Sequence, residues 1–208
     1  MSDSALNGEF SVKYEVMRDM IAPGDIMSFI GTSPVSRIIQ ILSIPNHVAG
    51  VVSGPECMCT RKLMIEADEG EVNARALSNE IRQYKGKIYW HRLNPCFDRW
   101  RSYIDSYYWE QIGKKYDYKG FFSNIFGRIN KNCERYICSE LCQGALANIP
   151  KTQMISDLHA VSDIYDSVAH KDIEDCMCYV EMLYSDKVMR PCDIVKLPIF
   201  SPRVEVYY

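Results

Sequence analysis

The hydrophobic positions of this chain change their spacing near residue 95. Between residues 23 and 93 they fall in short runs bounded by turn residues: "PGDIMSFIG" at 23–31, "HVAGVVS" at 47–53, "RKLMIEA" at 61–67 and "GKIYWHRL" at 86–93. Runs of this length, rich in β-branched and aromatic residues, predict strands. One helix interrupts them at 33–43. Ser33 suits its N-cap and Pro34 its first turn, while Val35, Ile38, Ile39 and Leu42 share one face. Residues 10–20 are weakly helical. Beyond residue 95 the spacing turns helical and predicts helices over 96–113, 118–129, 136–148 and 160–169. "CDIVKLP" at 192–198 and "RVEVYY" at 203–208 predict late strands. Strands gathered before residue 95 and helices gathered after it indicate an α+β fold.

A chain of 208 residues is long enough for a real core and is expected to form one domain, 1–208. A net charge of −3 with no basic patch argues against a nucleic-acid partner. No run approaches the eighteen or so apolar residues of a membrane span, so no integral membrane segment is expected. The N-terminus has no basic region followed by an apolar stretch and so does not resemble a secretory signal. With nine cysteines and no such signal, free thiols and a cytoplasmic location are expected. Cys-Met-Cys occurs at 57–59 and again at 176–178. Its spacing is not that of common zinc sites and no histidine cluster accompanies it, so no metal or other cofactor is expected.

Two residues carry candidate chemistry. From Cys138, the positions Leu141, Cys142, Ala145, Leu146 and Ile149 form an apolar helical stripe, and Cys138 stands at its N-terminal end. A thiol there is favoured as thiolate by the helix dipole. Its own backbone N–H, with that of Ser139, is available to a developing oxyanion. The histidine suited to act as its base is His47, which opens the run at 47–53 about ninety residues upstream. If the runs at 47–53 and 61–67 form a hairpin centred between Glu56 and Cys57, His47 lies directly opposite Glu66. Opposed residues share a face with Cβ atoms roughly 4.5–5.5 Å apart, close enough for a carboxylate to orient the ring. A slip of one residue would move Glu66 to the other face. Otherwise Glu66 is a solvated charge near a strand end, like Asp68, Glu69 and Glu71. His91 reads as an edge or interface side chain, and His159 and His170 as solvated.

The order of these pieces resembles a known family. "GDIMSF", "SRIIQIL", "NHVAGVV", "MIEADEGEV", "GKKYDYKGFF" and "YICSELCQGAL" span about 24–150. In this order they are similar to the circularly permuted papain-like (NlpC/P60) hydrolases, particularly the YiiX/YebB-like and poxvirus branch. The resemblance implies a papain-like α+β fold, an antiparallel sheet or partial barrel packed on helices that include the cysteine helix. It also implies Cys138 as nucleophile, His47 as base and Glu66 as third member. Tyr116 is carried as a site-lining or oxyanion residue, as is Ser139. The usual serine before the histidine is Asn46 here, and Asp68 and Glu69 add negative charge after Glu66.

The implied activity is that of a cysteine peptidase or amidase acting through a thioester acyl-enzyme on a peptide, amide or lipid-amide substrate. The second reading is an acyltransferase or thioesterase of the lecithin:retinol acyltransferase type. Those relatives typically carry a second histidine where Glu66 stands and often anchor to membranes. The third reading is a non-catalytic binding protein that keeps the fold. Residues 151–208 lie outside the matching motifs, as a C-terminal extension that adds strands or forms a lid.

Overall fold

The computed structural model describes residues 11–33, 36–37, 40, 43–54, 61–68, 70–116, 135–164 and 170–208. In chain order its elements are β1 (Ser11–Lys13), α1 (Tyr14–Met17), β2 (Ile26–Gly31), β3 (His47–Val52), β4 (Leu63–Asp68), β5 (Glu71–Ala76), α2 (Leu77–Gln83), β6 (Gly86–His91), α3 (Arg101–Glu110), β7 (Lys115–Tyr116), β8 (Arg135–Tyr136), α4 (Cys138–Ala147), α5 (Lys151–Ile164), α6 (His170–Leu183), α7 (Pro191–Ile194) and β9 (Val204–Tyr207). The strands form one sheet in the order β1-β9-β6-β2-β3-β4-β5-β7-β8. Every pairing is antiparallel except β1 with β9 and β7 with β8. The fold is therefore α+β, with a mostly antiparallel sheet.

Both faces of the sheet are covered. Ile26, Val48, Val52, Leu63 and Ile65 pack with Leu141, Cys142 and Ala145 of α4 and with Ile104 and Tyr108 of α3. Met27, Phe29, Ala49, Val51, Met64 and Trp90 pack the opposite way, with Tyr14, Met17, Leu77 and Ile81. This explains why β3 and β4 are nearly continuous apolar runs rather than alternating ones: no strand face there meets water. Gly50 lets α3 approach, because a Cβ at that position would fall within the Tyr108 ring.

Buried Asp25 fastens strand ends to α3. It accepts hydrogen bonds from Ala22 N (3.0 Å), Trp90 Nε1 (2.8 Å), Leu93 N (3.0 Å) and the Arg101 guanidinium (2.8 Å). Gln143 of α4 fastens the C-terminal part. Its amide donates to the Leu183 and Lys187 carbonyls (3.2 and 2.9 Å), and its Oε1 accepts from Met189 N (3.0 Å).

Several expectations need correction. The predicted strand at 192–198 begins instead as helix α7, with Pro191 in its first turn and the Asp193 carboxylate accepting from Arg190 N at 3.0 Å. Of the helix expected over 160–169, residues 160–164 are the end of α5, which starts at Lys151, and the rest lies outside the described residues. The stretch 96–113 opens with a 3-10 segment, Pro95–Trp100, before α3. Of the helix at 33–43, Ser36, Arg37 and Gln40 are helical and Ser33 and Ser43 are not, the rest lying outside the described residues, as does the helix at 118–129. Among the described residues no helix is long and apolar enough to cross a membrane.

Candidate active site

Cys138 is the first residue of α4, and its N-cap, Ile137, has no side-chain acceptor. The first-turn amides are therefore not capped from that position. Glu140 turns back to accept from Ile137 N at 3.0 Å, which fixes the entry of the chain into the helix. Cys138 is 8% exposed at the end of a stripe that is otherwise fully buried.

His47 is the first residue of β3, and Asn46 sets its approach. Asn46 N donates to the Phe29 carbonyl at 3.1 Å, and its Oδ1 accepts from Gly31 N at 2.9 Å. The His47 ring packs against Phe29, with ring centroids 5.4 Å apart. Its Nε2 lies 2.7 Å from Glu66 Oε2, and Cys138 is near enough to act electrostatically on the ring. The structure thus brings Cys138, His47 and Glu66 into one chain of contacts.

The hairpin register differs from the expected one. Gly50, Val51 and Val52 face Ile65, Met64 and Leu63. Continued toward the site, that ladder sets Glu66 opposite Ala49, so His47 and Glu66 meet on a diagonal. The register has moved by two residues, which keeps every side chain on its expected face. Diagonal neighbours lie within reach of long side chains.

The electrostatics follow from these contacts. Burial pulls the His47 imidazole down, but Cys138 and the Glu66 carboxylate overcome it and hold the ring well above 6.5. Glu66 is 3% exposed, and burial pushes its carboxyl up. The His47 hydrogen bond and charge, with the charge of Arg75, more than offset that, so Glu66 lies below 4.5. Arg75 sits on β5 with Nε 2.9 Å from Glu66 Oε1, and it also reaches Asp68 (3.4 Å) and Glu80 (3.8 Å). Sequence reading missed Arg75. The signal was the alternation of "EVNARA", which puts Arg75 opposite Met64 and so on the face of Glu66.

Ser139 is 1% exposed, and its Oγ has no hydrogen-bond partner among the described residues. Tyr116 ends β7, and its side chain lies outside the described residues. So does the Cys-Met-Cys at 57–59. His159 is exposed, in line with the expectation of a solvated ring. His91 is not an edge residue: it is 4% exposed and bonded to Ser28 at 2.8 Å.

No protein-family model matches the chain, and no curated protein does. A solved structure does: YiiX from Escherichia coli O157:H7, described as a metalloprotein, with 22% identity and a TM-score of 0.50. Among the described residues, no three His, Cys, Asp or Glu side chains are grouped to hold a metal ion. The match covers 62% of this chain and 66% of the YiiX chain, and at that identity the likeness is one of fold. Over that part, the chain has the fold of YiiX, the permuted papain-like arrangement that its motif order resembles.

Proposed function

We propose that the protein is a cysteine-dependent hydrolase of amide bonds, with Cys138 as nucleophile, His47 as base and acid, and Glu66 as the group that orients the imidazole. The observation that carries this reading is the position of His47, with buried Glu66 2.7 Å from its Nε2 and Cys138 near enough to raise the pKa of the ring.

The Cys138 sulfur attacks the acyl carbon as thiolate while His47 holds the proton. The carbonyl oxygen becomes an oxyanion at the uncapped start of α4, where the N–H groups of Cys138 and Ser139 are suited to receive it. The Ser139 hydroxyl, buried without a partner among the described residues, is a further candidate donor. Collapse breaks the C–N bond, and the leaving amine takes the proton from His47. The thioester that remains is attacked by water, which gives a proton to the now neutral His47. The acid departs, and the thiolate–imidazolium pair is restored.

Alkylation by iodoacetamide, followed by peptide mapping, tests the reading. Cys138 is expected to react fastest of the nine cysteines. Loss of His47 is expected to slow it by on the order of 10²–10⁴-fold. A Cys138 that reacts no faster than exposed Cys178, or that is indifferent to His47→Ala, removes the proposal.

A further inference from the structure

A second polar pair stands on the sheet face opposite to that of His47. Ser28 lies opposite Val48 and Tyr89, and His91 opposite Ile26. Their bond, Ser28 Oγ to His91 Nε2, is again a diagonal contact between neighbouring strands. Both residues are nearly inaccessible, at 1% and 4%. The surrounding face is apolar, with Ile26, Val48 and Val52 in its core, so packing alone does not call for two polar groups there.

The pair lines a half-open cavity of ≈ 440 Å³ bordered by the segment 195–203. That volume is within the range of small-molecule sites, roughly 300–1,000 Å³. The walls are mixed, with Ile30, Pro45, Leu197 and Phe200 contributing apolar surface and Ile44 at 57% exposure. Among the described residues the charged lining residues are Lys196 and Arg203, and no described Asp or Glu lines the cavity, in a chain whose net charge is −3. Arg203 stacks on Tyr89, 4.5 Å from the ring centroid.

Burial, with the nearby Arg203 charge, lowers His91 to about 4, so the imidazole is neutral. A neutral imidazole and a hydroxyl together own two donor hydrogens, of which their shared bond uses one. We propose that this cavity binds a small apolar carboxylate, its anion held by Arg203 and Lys196, its body against the aliphatic wall, and the Ser28–His91 pair hydrogen-bonding at the floor. Arg suits this role because its planar fork matches a carboxylate. The site stands whether or not Cys138 is a nucleophile.

Calorimetric titration of the full chain with octanoate, octanamide and inorganic phosphate tests the proposal. Octanoate is expected to saturate one site and to bind at least about tenfold tighter than octanamide, because only the carboxylate gains a charge-assisted bond. Phosphate, which lacks an apolar body, is expected to give no saturable binding. Arg203→Gln, at an exposed position, is expected to reduce octanoate binding to the level of the amide, and Ile44→Asp to weaken both. Absence of saturable octanoate binding, equal binding of octanoate and octanamide, saturable binding of phosphate, or octanoate affinity unchanged in both variants overturns it.

Discussion

Arg75 Nε lies 2.9 Å from Glu66 Oε1, while the other oxygen of that carboxylate, Oε2, lies 2.7 Å from His47 Nε2. The Arg75 contact has ion-pair distance without hydrogen-bond alignment, since Oε1 has no hydrogen-bond partner among the described residues. One carboxylate thus faces a fixed cation on one side and the candidate base on the other. Arg75 keeps Glu66 ionised, and it also draws off some of the negative charge that would stabilise the His47 imidazolium.

Arg75→Ala is expected to change the rate of Cys138 alkylation at neutral pH by less than tenfold and to move its acid limb to higher pH. Glu66 lies below 4.5 in the folded protein, so its contribution to stability is present above 4.5 and is lost as pH falls through the lowered value. Without Arg75 that loss begins at higher pH. Arg75 is 39% exposed, so its pairing contributes only about 0–1 kcal/mol. A pH–rate profile of alkylation, with melting temperatures at matched pH, checks both expectations.

His47 and His91 are expected to separate in an NMR titration. His47 titrates well above 6.5, and His91 near 4. Cys138→Ala removes the largest cause that raises His47, so the His47 transition is expected to fall in that variant while His91 stays in place. The stability linked to His47 is present below pH 6.5 and is lost as pH rises through its raised folded value. An unchanged His47 transition in the variant contradicts the cysteine–histidine contact.

Asp25→Asn is expected to destabilise the protein by about 3–5 kcal/mol in urea unfolding, because it leaves the Arg101 charge without its buried partner. Asp25 is fully buried, and all its bonded partners are donors. An asparagine presents an NH₂ group where one of those donors points. A loss below about 1 kcal/mol would mean that the partners re-pair elsewhere.

Gly50→Ala is expected to cost about 1–3 kcal/mol or more, because the new methyl group falls within the Tyr108 ring between β3 and α3. Gly50→Ala combined with Tyr108→Leu is expected to cost less than the sum of the two single changes. A double-mutant cycle measures that coupling.

The faces of β3 and β4 were legible because side chains alternate with a period of two, which holds in any register. The register itself was not. A shift of two residues leaves the faces unchanged, so the hydrophobic pattern is silent between His47 facing Glu66 and Ala49 facing it. The segment 192–198 misled for a related reason. Cys192, Ile194, Leu197 and Ile199 are buried at near-alternate positions, which imitates a strand, whereas Pro191 and the Arg190–Asp193 contacts start a helical turn. His91 was read as an edge residue because β6 is the last strand of its group in sequence. Its other neighbour is β9, more than a hundred residues later.

The sequence by itself determined the α+β class, the buried strand runs and a helix with Cys138 in its first turn, since these follow from local period and end chemistry, whereas the shared face of His47 and Glu66 followed only from an assumed register. Only the tertiary structure decided that Cys138 reaches His47, that Arg75 holds the second oxygen of Glu66 and that His91 lines a cavity with Ser28. Those contacts join elements far apart in the chain, and their meeting is set by how the two faces of the sheet are packed, which no local pattern encodes.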